Sequence, residues 1–196
     1  MSRSIISAIL CFKFCFSLIT GVSALSLPPL PLPEGVNSSY VDTTSTCGLL
    51  FHILSSGYDP LHQKPLILLL HGAPELAFTW RHIIAPLAAE GYHVVAPDQR
   101  GYGRTTGWDT RPFDSVDLTE FHISNLVRDL VCLTYALGYT EVHSIVSHDF
   151  GTLPGTYAPL LRPDIFTSSV QVSIPFHSSL LHHQPPLQKQ QTRQRY

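Results

Sequence analysis

Leu66-Ile67-Leu68-Leu69-Leu70 is an unbroken apolar run that ends at His71-Gly72. A strand turns alternate side chains to opposite faces, so a run with no polar member is buried on both. Such a strand belongs inside a mostly parallel sheet with helices packed above and below. The neighbouring segments agree. Gly48 to Leu54 and His93 to Ala96 read as strands, and Phe78 to Ala89 as a helix ended by Gly91. From Leu118 to Leu137 the apolar residues Ile123, Leu126, Val127, Leu130, Leu133 and Leu137 recur at helical spacing, and Gly138 stops the pattern. Glu141 to Val146 and Ser168 to Ser173 read as two more strands. The expected class is α/β.

A chain of 196 residues with 44% apolar and 13% charged residues can bury one substantial core. A net charge of −2 and the lack of a basic stripe exclude nucleic acid as an expected partner. Residues 1–24 read as a signal peptide. Arg3 precedes the apolar run Ile5 to Ile19, which Lys13 interrupts, and Val22-Ser23-Ala24 offers small residues for cleavage. An uncleaved membrane anchor over residues 5–25 is the alternative. Residues 25–39 read as a Pro-rich linker, and Asn37-Ser38-Ser39 within them is a glycosylation sequon that suits secretion. The partial domain then runs over 40–176. From His177 to Tyr196 periodicity gives way to His182-His183, Pro185-Pro186 and five glutamines, a composition expected to be disordered. Outside the leader only Cys47 and Cys132 remain, and Cys132 lies on a helix pattern, so buried thiols are expected rather than a bridge. No Cys/His cluster suggests a metal.

Chemistry concentrates around Asp149. The strand ending at Val146 runs into Ser147-His148-Asp149-Phe150-Gly151. This is the pattern of a nucleophile elbow, where small residues at −2 and +2 let strand and helix backbones approach. A carboxylate at the tip can attack carbon and form an ester on the protein. As a plain helix cap Asp149 would need no such neighbours. His71-Gly72-Ala73-Pro74 directly follows the apolar run, where a loop donating an oxyanion-hole amide belongs.

These segments, together with Glu75, Trp80-Arg81, Asp98-Gln99-Arg100-Gly101-Tyr102-Gly103 and Ser173-Ile174-Pro175-Phe176, resemble the epoxide-hydrolase branch of the α/β-hydrolase family over roughly Val41 to Phe176. The resemblance implies Asp149 as the nucleophile that opens an epoxide. It implies backbone amides of Ala73 and Phe150 as the oxyanion hole, and His71, Gly72, Pro74, Trp80, His148 and Gly151 as motif or pocket residues. The substrate would be a small epoxide-like molecule, with no metal or organic cofactor. Haloalkane dehalogenases share the pattern but hold the halide with a tryptophan after the nucleophile, and fluoroacetate dehalogenases use an arginine there. Phe150 offers neither an N–H nor a charge. A dehalogenase-like hydrolase and a secreted non-catalytic binder are the alternatives.

In that family a lid with tyrosine proton donors, a relay acid and a catalytic histidine follow the sixth strand. No acid follows Asp164 here, so the relay acid has no candidate, and His177, His182 and His183 read as solvated residues of the tail rather than as the base. The chain thus reads as an incomplete α/β-hydrolase core with lid and C-terminal part missing, inactive as written and with an exposed sheet edge. Pro159 and Gly155 predict a broken or shortened helix after the elbow. Gly101-Tyr102-Gly103 reads as a structural turn, and Arg100 and Arg104 as loop-fixing ion partners. Asp109, Asp114, Asp117 and Glu120 read as a solvated loop and helix start.

Overall fold

The computed structural model describes residues 27–173. Signal-peptide and tail expectations lie outside them. Among the described residues no helix is long and apolar enough to cross a membrane.

A six-stranded sheet carries the fold, with strands β1 (Asn37–Thr43), β2 (Leu49–Ser56), β3 (Leu66–Leu70), β4 (His93–Pro97), β5 (Ser144–His148) and β6 (Ser169–Val172). Their spatial order is β1-β2-β4-β3-β5-β6. β1, β2 and β4 pair antiparallel, whereas β4, β3, β5 and β6 are mutually parallel. The helices are α1 (Thr44–Cys47), α2 (Arg81–Ala89), α3 (Ile123–Ala136) and α4 (Thr152–Leu161).

β3 lies between β4 and β5, and all its side chains are buried. Leu66, Leu68 and Leu70 join Val127, Leu130, Leu133 and Ala158 in the core beneath α3 and α4. Ile67 and Leu69 join Ile84, Val94 and Ala96 beneath α2. The period of two in the strand thus feeds two cores, one on each face of the sheet, as the apolar run requires. Each buried leucine contributes about 1.5–3 kcal/mol by leaving water.

Three expectations need correction. The linker stops earlier than residue 39, because Asn37 already begins β1 and Val36 is buried. β1 escaped notice because it is an edge strand with mostly exposed, polar side chains. Helix α4 is not broken; it runs through both Gly155 and Pro159. Proline at 159 removes the amide that would bond the Gly155 carbonyl four residues back. The Ser169 hydroxyl donates to that carbonyl instead, at 2.8 Å. Finally, Cys47 and Cys132 are not free thiols but form a disulfide, with Cα atoms 6.3 Å apart across a separation of 85 residues. Cys132 lies on the half-buried border of α3, where the short helix α1 packs against it.

His93 is buried at the start of β4 with Nδ1 2.9 Å from the Tyr139 hydroxyl. Burial, then the nearby charges of His62 and Lys64, lowers its pKa to about 4.

Two outcomes are expected. Cross-linking so long a loop restricts the unfolded chain, so Cys47→Ser with Cys132→Ser should lower unfolding free energy by about 4 kcal/mol in denaturant titrations. A histidine that is harder to protonate when folded stabilises fully above its unfolded pKa, near 6.5, and loses that contribution as pH falls toward 4. Acidification across this window should therefore cost about 2 kcal/mol, partial solvation allowed for, and His93→Gln should flatten that part of the stability–pH curve.

Candidate active site

Asp149 sits where β5 meets the helical segment that leads into α4, with φ at +48°. A non-glycine residue in this left-handed region costs about 1–3 kcal/mol and persists only where its surroundings dictate it. They do so here through close backbone approach. A Cβ on Gly72 would lie 2.5 Å from the Asp149 Cβ, and one on Gly151 would lie 2.5 Å from the His71 carbonyl oxygen. Farther along the helix, a Cβ on Gly155 would meet the Ser147 hydroxyl at 2.6 Å. Ser147 itself is fully buried. The small residues noted in the sequence are therefore steric requirements.

Parallel pairing sets the partner loop. Leu70 is in register with Ser147, so the chain leaving β3 emerges beside the elbow. The Ala73 amide donates to Asp149 Oδ1 at 3.0 Å, and the Ala73–Pro74 peptide is cis. Phe150 follows the elbow with a half-exposed ring. Pro74 is exposed at the loop tip.

His71 holds this loop from beneath. It is fully buried, and the Gln99 amide donates to its Nε2 at 3.0 Å. The proton of the neutral ring is then on Nδ1, which donates to the Gly72 carbonyl at 2.8 Å. Burial lowers the pKa of His71, in keeping with a neutral ring. The Gln99 side-chain amide donates to the His71 carbonyl at 2.6 Å. Both ring nitrogens are committed to the scaffold.

The sequence offered no sign of how Glu75 works. Its Oε2 accepts from the Gly72 amide at 3.2 Å and lies 2.9 Å from His148 Nδ1, so one carboxylate ties the loop to the end of β5. His148 is thereby a partner of the loop. Trp80 is part of the core beneath α2, not of the space beside the elbow. Its indole nitrogen is the buried side-chain polar atom that lacks a partner among the described residues.

That space is a cavity of about 150 Å³, lined by His71, Tyr102, Phe121, Leu126, Phe150 and Leu153 among others. Its wall is largely apolar, apart from Gln99 and Arg100. A larger cavity of about 330 Å³ opens at the other end of the sheet, around Lys64 and His143, where β3 and β5 begin. The elbow and the Ala73 amide are at the C-terminal ends of the parallel strands, where sites in such sheets form, so the smaller cavity is the one beside the chemistry.

The loop after β4 closes the cavity. Asp98 Oδ1 accepts from the Ala77 amide at 2.9 Å and Oδ2 from the Arg104 amide at 2.9 Å. A Cβ at Gly103 would run into the Asp98 carboxylate, so that turn requires glycine, as its φ of +56° also does. Arg100 clamps Asp129 of α3 with both carboxylate oxygens engaged, at 2.7 and 2.8 Å, and reaches Glu120 at 3.0 Å. Its loop-fixing role is as expected. Arg104 donates to the Pro28 carbonyl, and Asp117 accepts from the Thr119 amide at the start of a 3₁₀ turn. Among the described residues no group of three or more His, Cys, Asp or Glu could hold a metal ion.

Comparison with known proteins agrees with this architecture. The profile of the alpha/beta hydrolase fold matches residues 65–196. Epoxide hydrolase 3 of Siraitia grosvenorii is 40% identical over 134 residues, which are 68% of this chain and 38% of that protein. Epoxide hydrolase A of Mycobacterium tuberculosis is 42% identical over 66% of this chain and 37% of its own length. The crystal structure of an epoxide hydrolase from Vigna radiata superposes with a TM-score of 0.61 at 35% identity, covering 74% of this chain and 42% of that one. Potato epoxide hydrolase I gives a TM-score of 0.61 at 37% identity, covering 73% and 41%. The chain thus spans about two-fifths of the length of the relatives it matches. With a mostly parallel sheet, a strained elbow and a matching profile, it belongs to the α/β-hydrolase fold family, and its likeness within that family is to epoxide hydrolases.

Proposed function

We propose that this chain carries the nucleophile half of an epoxide hydrolase, with Asp149 as the attacking carboxylate. The observation that carries the reading is the Asp149 carboxylate at an elbow of φ +48° with Oδ1 on the Ala73 amide. With Oδ1 held there, Oδ2 is the oxygen available to attack a ring carbon. The ring C–O bond breaks as the new C–O bond forms, and the departing alkoxide takes a proton from a donor outside the described residues. The resulting ester keeps Oδ1 as its carbonyl oxygen. When water adds to Cγ, the negative charge develops on Oδ1, where the Ala73 amide already points and the Phe150 amide is the second donor.

The second step needs a base. His71 uses both ring nitrogens in the scaffold, whereas His148 is tied to Glu75 through Nδ1 alone. On this reading the base, like the proton donor, is a group outside the described residues. The cavity beside Phe150 favours a small, largely apolar epoxide. Phe150 offers no donor for a departing halide, which disfavours dehalogenation.

We also propose passage through the secretory pathway. The leader-like residues 1–24, the Cys47–Cys132 disulfide and the exposed Asn37 of the sequon support it together.

Incubation with an aryl epoxide should leave an unhydrolysed ester on the peptide containing Asp149, read by mass spectrometry. The adduct should vanish in Asp149→Asn; an adduct elsewhere, or one undiminished by that change, would overturn the assignment. Secretory expression in a eukaryotic host should yield protein that loses mass on treatment with peptide N-glycosidase. Asn37→Gln should remove that loss, and material found only in the cytosol without a glycan would refute secretion.

A further inference from the structure

A second constellation with the elements of acyl-transfer chemistry lies on β1 and β2, separated from the elbow strand β5 by β4 and β3. His52 of β2 is almost fully buried, at 1% exposure, and its Nδ1 lies 2.8 Å from Asp98 Oδ2. On the other side of the ring, His52 Nε2 lies 2.8 Å from the Ser38 hydroxyl. Ser38 is exposed on the edge strand β1, whereas Asp98 is 3% exposed. The order is therefore buried acid, buried imidazole, solvent-facing hydroxyl.

The proton positions follow from the bonds. Asp98 accepts the backbone amides of Ala77 and Arg104, which requires an acceptor-only carboxylate. Burial alone would push its pKa up, but the bonds from His52, the Arg104 amide and the Ala77 amide outweigh burial and hold it below the ordinary carboxylate range. Facing that carboxylate, Nδ1 must be the donor, so in the neutral ring Nε2 has the free lone pair and the Ser38 hydroxyl donates to it. That is the tautomer in which an imidazole can take a serine proton, and the buried acid stabilises the imidazolium that results.

The ring is also fixed in place. The His52 amide donates to the Thr105 hydroxyl at 3.0 Å, and its carbonyl accepts the Asp98 amide at 2.9 Å. The Tyr40 ring meets the imidazole edge-on, with centroids 5.3 Å apart. β1 and β2 set the remaining relation. Tyr40 is opposite His52 and Ser38 opposite Leu54, so Ser38 is the diagonal neighbour of His52 across the pair. A clamp between β2 and the loop after β4 would need only His52 and Asp98. It has no use for an exposed hydroxyl on the second ring nitrogen.

We propose that Ser38, His52 and Asp98 form a second nucleophilic site that accepts acyl groups from small activated esters. Ser38 and His52 are its catalytic residues, and Asp98 is a positioning residue. Ser38 Oγ attacks the ester carbonyl carbon as its proton passes to His52 Nε2. The bond from that carbon to the aryl oxide breaks, and the aryl oxide leaves with the proton from His52. The acyl group remains as an ester on Ser38. The site is on an open edge strand, so it favours good leaving groups over natural esters that depend on tight binding.

The test uses the full chain in an Asp149→Asn background, which removes the elbow carboxylate from consideration. p-Nitrophenyl acetate and a fluorophosphonate are the probes, with peptide mapping by mass spectrometry. Ser38 should be modified about 100-fold faster than the adjacent exposed Ser39, the gain a positioned general base provides. Ser38→Ala should abolish the label and Ser39→Ala should keep it. His52→Gln should reduce Ser38 to the rate of Ser39 with the Cys47–Cys132 disulfide and far-ultraviolet spectrum retained. Should that variant not fold, Ser38→Cys compared with Ser39→Cys serves instead, the first thiol reacting with iodoacetamide at least about 10-fold faster. Equal rates at positions 38 and 39, or a label unaffected by His52→Gln, would overturn the proposal.

Discussion

The close approach of two backbones, the loop leaving β3 and the turn leaving β5, governs the rest of the site. Gly72 and Gly151 have no Cβ because the Asp149 side chain and the His71 carbonyl occupy that space. The parallel register of Leu70 with Ser147 brings the two segments level. Holding Asp149 at positive φ costs about 1–3 kcal/mol. A charge-assisted bond such as that from the Ala73 amide returns about 1.5–3 kcal/mol. The two terms nearly cancel, so the elbow is set by the strand pairing that delivers both backbones, and the hydrogen bond then selects which carboxylate oxygen is held.

A second layer fixes the frame around that contact. Buried His71, neutral and bonded through both nitrogens, joins the β3 loop to Gln99. Asp98 joins the end of β4 to Ala77 and Arg104, and Arg100 carries the connection to Asp129 in α3. Each tie runs from a strand's C-terminal end to a different element. The cavity beside Phe150 is therefore bounded by parts of the chain that are far apart in sequence yet mutually anchored. The same Asp98 orients His52, so the two proposed nucleophiles, Asp149 and Ser38, share one stretch of scaffold without sharing a side chain.

What the sequence made legible follows from how local each cause is. β3 was readable to the residue because burial on both faces leaves an apolar run. α3 was readable as a helix because one buried stripe leaves a period, but it starts at Ile123, after a 3₁₀ turn over Leu118–Phe121, and not at Leu118. The elbow was readable because its steric demand falls on positions 147 and 151, two residues either side of Asp149. Other features depend on partners remote in the chain. Continuation of α4 past Pro159 depends on Ser169, and the disulfide on helix packing across 85 residues. β1 has the polar surface of an edge and no periodic burial to reveal it. Glu75 and His148 each looked like a motif residue of no assigned contact; only the fold shows that they bond to each other. Trp80 has the residue type of a pocket wall, yet the 3₁₀ turn Ala77–Trp80 that precedes α2 carries it into the core.

The proposed chemistry divides along the same line as the structure. Forming an ester at Asp149 asks for a strained carboxylate and an amide beside it, and every contact that produces them lies between Leu70 and Gly155. Hydrolysing that ester asks for a water-activating base with a free nitrogen, and His71, the histidine buried beneath the loop, has both of its nitrogens used in building the elbow. The lone pair of buried His71 already accepts the Gln99 backbone amide, a proton that cannot be exchanged for one from water, so the contact that stabilises the loop also makes this imidazole a poor base. Those contacts that make the nucleophile geometry self-sufficient are the ones that leave the second step dependent on a group outside them.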